Sequence, residues 1–178
     1  MRWSAASSMP TRTMKTAKAE PPPARAGAVE IVIQRACALR GLPTNADMKR
    51  WLVRAVGRFS PGASLTVRIV DAAEGAALNA RWRGKQGPTN VLSFPLSGLE
   101  ELAPGLLGDI VLCAPVLKAE AAAQGKTIAQ HCAHLLVHGA LHLLGYDHVK
   151  TRQARVMEKL ETELLAELEF PDPYSERA

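Results

Sequence analysis

The sequence predicts an α+β fold: four short, β-rich runs occupy the chain up to residue 113, three helices close it, and Gly, Pro or cap residues separate the segments. At 178 residues the chain is long enough to bury a core unaided. A metal site in it would therefore signify function, not a staple.

Residues 28–33 (AVEIVI) read as the first strand, followed by a short turn of helix and the loop Gly41-Leu42-Pro43. A helix starts at Asn45 as N-cap, with Met48, Trp51, Leu52, Ala55, Val56 and Phe59 on one face and Lys49, Arg50, Arg54 and Arg58 on the other. Residues 64–70 (SLTVRIV) alternate as a strand, 71–81 are helical, and 90–96 (NVLSFPL), with Pro88 before it and Pro95 within it, suit a strand at a sheet edge. Residues 109–113 form the fourth strand. The closing helices run over 115–124 with Gly125 as stop, from Thr127 to about residue 144, and from Thr151 to about residue 169. Thr127 and Gln130 make a T-x-x-Q capping box, and Gly145 supplies a left-handed end to the same helix.

Residues 1–27 carry five Lys or Arg against one Glu, lack apolar periodicity and include the triplet Pro21-Pro22-Pro23. They read as a disordered basic arm, leaving 28–178 as one domain. No apolar run approaches the roughly 20 residues of a membrane span. Cys37, Cys113 and Cys132 are odd in number and contain no C-x-x-C pair, which fits a reduced, cytoplasmic chain whose cysteines serve as small buried hydrophobes. The net charge of +5 is unevenly placed: +4 in the arm, +6 over 28–85 and −5 over 86–178. Outside the arm, a basic half precedes an acidic half.

All five histidines fall between His131 and His148. His138 and His142 stand four apart on the predicted helix, one turn from each other on one face, near enough to share a metal ion. On a continued helix His148 would point away, but Gly145 lets the chain fold back so that His148 approaches the same ion. Three imidazoles would leave zinc one open position, the pattern of a catalytic site. His134 extends the stripe and is expected to pack or to support a ligand by hydrogen bonding. His131 is expected to face solvent near the helix start.

The spacing H-x3-H-x2-G-x2-H is also that of the metzincin peptidases, whose motif has Glu directly after the first His as general base. Here that position is Gly139, which weakens a peptidase reading.

The segment HGALHLLGYDH, residues 138–148, resembles the signature of the YbeY family of bacterial endoribonucleases. WRGK at 82–85, PTNVLSFP at 88–95, LGDI at 107–110 and DPY at 172–174 resemble family patterns in the same order. The resemblance implies a zincin-like fold, with a small mixed sheet packed against the metal-binding helix and the turn after it. It implies one zinc held by His138, His142 and His148, and an arginine needed for activity at Arg83. The implied activity is single-strand-specific cleavage of ribosomal RNA precursors, notably at the 16S 3′ end, and ribosome quality control, with the small ribosomal subunit and its proteins as partners. After position 148 the family often carries acids, whereas this chain has Lys150, Arg152 and Arg155.

Phosphodiester hydrolysis needs an activated water, a proton for the leaving group and positive charge on the phosphate oxygens. Arg83, flanked by Arg81 and Lys85 in the loop-like run RWRGKQG, suits the phosphate. Asp147, beside His148, can orient a ring or pass a proton, and equally serves as a turn residue. Tyr146, Asn90 and Ser93 are cleft candidates with ordinary structural alternatives. Only eight aromatic residues are present, so RNA is expected to be held mainly by charge. Two other functions stay open: a peptidase-like metallohydrolase, and a non-catalytic assembly factor with a structural metal.

Overall fold

The structure, a computed structural model, describes residues 27–96, 98, 101–147 and 151–175. The basic arm and His148 lie outside them. In chain order the elements are β1 (Glu30–Arg35), α1 (Asn45–Gly57), β2 (Ser64–Val70), α2 (Ala72–Arg83), β3 (Val91–Pro95), β4 (Leu106–Cys113), α3 (Ala114–Ala123), α4 (Ile128–Leu143) and α5 (Thr151–Glu167). The strands form one mixed sheet in the order β1-β2-β4-β3. β1 with β2 and β2 with β4 are parallel, whereas β3 runs antiparallel to β4 and forms an edge.

Alternation of side chains across the strands divides the apolar residues between two faces. Ile31, Leu65, Val67, Ile69, Val91, Ile110 and Leu112 join residues of α1, α4 and α5 in the main core. Val70, Leu92, Val111 and Cys113 form a second cluster with Leu78 of α2 and Phe94 of β3. Thus α4 and α2 cover opposite faces of the sheet. Helix α4 is the most deeply set, with Leu136, Ala140 and Leu141 fully buried. Truncating Leu136 to Ala would cost about 2–5 kcal/mol. All three cysteines are free, Cys113 and Cys132 buried and Cys37 half-buried.

Several local expectations need correction. Helix α1 is capped by Thr44 rather than Asn45. Thr44 Oγ1 accepts from the Asp47 N–H at 3.1 Å, and the Asp47 carboxylate reaches back to the Thr44 N–H at 3.4 Å. The Asn45 side chain instead accepts from Arg35 Nε at 2.7 Å. No helix follows β1: the ladder continues through Ala36 N–H to the Ile69 carbonyl at 2.8 Å, and the Arg35 guanidinium ties down the Pro43 carbonyl. The first strand runs two residues later than its apolar pattern suggests, and the fourth begins at Leu106, ahead of Asp109. The early extension of β4 depends on Gly108, whose φ is +130° and whose Cβ would sit 2.1 Å from the Phe94 carbonyl oxygen.

The most consequential difference is at α2. The segment around Arg83 is helical, not loop, because the helix stops only at Gly84, where φ is +64° and the N–H closes on the Ala80 carbonyl at 3.1 Å. Arg81, Trp82 and Arg83 therefore fan out from the last helical turn. Their positive charge complements the negative end of the helix dipole.

Candidate active site

The capping box predicted for α4 is present. Thr127 Oγ1 accepts from the Gln130 N–H at 3.1 Å, and Gln130 Oε1 accepts from the Thr127 N–H at 2.8 Å. This fixes where the helix starts and hence which way its histidines point. His131, His134, His138 and His142 follow one another along one stripe, with ring centroids of neighbours 6.4, 6.4 and 4.7 Å apart.

His138 Nε2 and His142 Nε2 are 3.2 Å apart. Two nitrogens each about 2.0–2.1 Å from a tetrahedral zinc lie about 3.3–3.4 Å apart, so this pair fits one edge of a zinc coordination sphere. The other ring nitrogen of His138, Nδ1, donates to Glu161 Oε1 at 2.7 Å. That bond selects the tautomer whose Nε2 lone pair faces His142, as a carboxylate behind a metal-binding histidine commonly does. Among the described residues no further metal-ligating side chain completes a group of three; the expected third ligand, His148, lies outside them.

Glu161 comes from α5 and is 1% exposed. Its second oxygen accepts from His134 Nε2 at 3.0 Å and from the Tyr174 hydroxyl. Burial pushes the carboxyl pKa up, but hydrogen bonds from His134, His138 and Tyr174 outweigh it and hold the value at about 2. The group is an anion fixed by its neighbours. It escaped the sequence reading although a signal existed: Met157, Glu161, Leu164 and Leu165 share the buried face of α5, an acid among apolar positions. Tyr174 belongs to the DPY segment, and its hydroxyl gives that segment a physical role. His134 bonds to Glu161 through Nε2, not to a neighbouring histidine of the stripe.

His131 does not face solvent. It is 3% exposed, and its Nε2 donates to Glu120 Oε2 at 2.7 Å. The Asn90 amide donates to both Glu120 oxygens at 3.2 and 3.0 Å, so Glu120 of α3 joins the start of β3 to the start of α4. Burial lowers the His131 pKa against the opposing pull of Glu120. Beside this pair opens a cavity of about 740 Å³ whose wall includes Asn90, Glu120, Lys126, His134, His138 and Glu161.

Gly139 lets α4 lie against the sheet. A Cβ there would stand 3.2 Å from two carbons of Ile110 and 3.2 Å from Ser93 Oγ. The position that carries the general base in metzincins thus faces the sheet, where a Glu side chain has no room. Ser93 Oγ donates to the Gly139 carbonyl at 3.4 Å, which lays the edge strand along the part of α4 that carries His138 and His142.

Asp147 is exposed and borders a small hollow with Tyr146, Arg152 and Val156. Tyr146 packs edge-on against Phe59 with centroids 6.0 Å apart. Arg81, Arg83 and Lys85 are exposed at the end of α2, on the sheet face opposite the histidine stripe, with β3 between the two.

A family model described as Endoribonuclease YbeY matches residues 42–169. Endoribonuclease YbeY from Stutzerimonas stutzeri (strain A1501) is 51% identical over 150 residues, spanning 83% of this chain and 92% of its own. The solution structure of TM1509 from Thermotoga maritima matches with a TM-score of 0.54 at 25% identity, over 82% of this chain and 97% of its own.

Proposed function

The chain belongs to the YbeY family of endoribonucleases, and from that membership and the geometry of α4 we propose a zinc-dependent, single-strand-specific endoribonuclease that matures ribosomal RNA precursors. The proposed target is the 3′ end of the 16S RNA, with the small ribosomal subunit and its proteins as partners, ribosome quality control as a related duty and the cytoplasm as the setting. The observation that carries the reading is the 3.2 Å approach of His138 Nε2 to His142 Nε2, with Glu161 bonded behind His138.

His138, His142 and His148 are the proposed ligands of one zinc ion in a zincin-like arrangement of helix and sheet. When bound, the ion supplies Lewis acidity, making hydroxide available near neutral pH and drawing charge from phosphate oxygens. Glu161 holds the His138 ring in its ligating tautomer and, with Tyr174, keeps His134 from rotating. Arg83 supplies a permanent planar cation with paired donors for a phosphodiester oxygen, and Arg81 and Lys85 hold the flanking phosphates. Asp147, exposed and adjacent in sequence to His148, is the group assigned to take the proton of the attacking water and pass it to the leaving ribose oxygen.

The test is cleavage of labelled precursor ribosomal RNA by the full chain, His142→Ala and Arg83→Ala, each with zinc and with a chelator. Zinc-loaded wild type should cut, and both variants and the chelated protein should not. Equal binding of small-subunit particles by all three proteins without any cutting would establish a non-catalytic assembly factor instead. Casein cleavage lost in the same variants would establish a peptidase.

A further inference from the structure

Aromatic residues are scarce in the chain, which points to RNA held mainly by charge, yet one of the few stands exposed among cations. Trp82, on the last turn of α2, is 60% exposed, whereas Trp51 is 4% exposed in the core. Its ring is not loose. Phe94 of β3 meets it with centroids 5.8 Å apart and planes at 67°, and the Arg81 guanidinium lies 5.3 Å from its centroid. A single exposed apolar side chain is unremarkable in itself. This one stands between Arg81 and Arg83, three residues before Lys85, so a propped aromatic surface and a cluster of cations gather at the end of one helix.

The position of that turn relative to α4 follows from two adjacent residues of the edge strand. Ser93 points to one side of β3, where its hydroxyl meets the Gly139 carbonyl between the turns that carry His138 and His142. Phe94 points to the other side, where it meets Trp82. Trp82 therefore lies across a single strand from the metal-binding turn. That strand is at the sheet edge, and among the described residues no further strand lies beyond it to block passage. A flexible single strand with a phosphate at α4 can bend round β3 and present a neighbouring base to the indole; a stiff duplex cannot follow that path.

We propose that Trp82 stacks a nucleobase of the single-stranded RNA substrate a few nucleotides from the scissile phosphate, with Phe94 fixing the ring, Arg81 engaging a phosphate beside that base and Arg83 kept for the reacting phosphate. This deepens the ribonuclease reading and rests on it. Stacking is indifferent to base identity, since every base has a π face, so Trp82 favours unpaired over paired RNA without imposing a sequence. Arg81 over the ring adds a cation–π contact and brings a charge to the stack.

The experiment measures binding and needs no turnover. Full-length protein in chelator is titrated into a labelled single-stranded oligoadenylate and into the same strand with its central bases removed to abasic sites, using wild type, Trp82→Leu and Trp82→Tyr. Loss of one base–aromatic stack weakens binding about 5- to 150-fold. Trp82→Leu should show a loss in that range on the intact strand and little on the abasic one, and Trp82→Tyr should recover most of the affinity. Thermal unfolding of each variant checks that the Phe94 contact has not simply been lost with the fold. The proposal is overturned if Trp82→Leu binds the intact strand within twofold of wild type, if intact and abasic strands suffer alike, or if Tyr gives no recovery in a folded variant. Failure of the ribonuclease reading looks different: wild type itself then cuts no RNA when loaded with zinc, whatever the binding series shows.

Discussion

The two ends of the proposed site are built on opposite physical terms. Behind the histidines, Glu161 is sealed from water and saturated by His134, His138 and Tyr174. At the end of α2, Arg81, Arg83 and Lys85 stand in solvent. The first region fixes a tautomer and a ring orientation, for which errors of half an ångström matter. The second offers charge, which tolerates movement and fades with salt. In the proposed function, metal ligation falls to the buried, hydrogen-bonded side and contact with phosphates to the wet side.

This contrast can be broken by mutation. Within the exposed cluster Arg83 is assigned a contact to the reacting phosphate. Arg83→Ala should lower kcat/KM by about 10²–10³-fold, as loss of one oriented donor to a developing charge does, with zinc content unchanged. Steady-state cleavage of a short single-stranded RNA measures it, and a fall that Arg83→Lys fully repairs would make Arg83 a plain charge. Glu161→Ala should act on the other region, lowering zinc affinity about 10- to 100-fold in competition with a chromophoric chelator. Glu161→Gln should lie between Ala and wild type. Zinc affinity unchanged in the Ala variant would remove Glu161 from the account.

Lys85→Ala should weaken RNA binding only a few-fold and lower the slope of log Kd against log salt by about 0.7, the value of one phosphate contact on a single strand. Neither change is expected from Glu161→Gln. The smallest effect concerns His131. Burial keeps its imidazole below the ordinary value of about 6.5, so the unfolded chain binds a proton that the folded chain resists. Its contribution to stability is complete above about pH 6.5 and declines as pH falls below it. Urea midpoints of zinc-free protein should therefore drop between pH 7.5 and 5.5, and less steeply in His131→Gln.

Legibility in the sequence differed between the same two regions. Helix α4 was readable at both ends because its box and its glycine are local signals, and the His138–His142 pair followed from helical period alone. Glu161 comes from 23 residues further along the chain, and the sequence offered only an acid on an apolar helix face, a pattern that states burial without naming the partner. The burial of His131 is illegible for the reciprocal reason: its partner Glu120 reaches it from α3 and is itself held by Asn90, just before β3. At α2, apolar periodicity fades before Arg81 while hydrogen bonding continues to Gly84, so the helix outlasts the pattern that announces it. The exposure of Trp82 was hidden as well, since a tryptophan in sequence more often signals core.

The central claim is that cleavage depends on one metal ion seated at the α4 histidines. It is tested most directly by adding zinc to chelator-stripped full-length protein while bound zinc and single-stranded RNA cleavage are recorded in the same samples. The account predicts that cleavage rises in proportion to bound zinc, breaks at one equivalent per chain, and is absent from His142→Ala throughout. Full cleavage before zinc is added, or a rate that ignores occupancy, would contradict it.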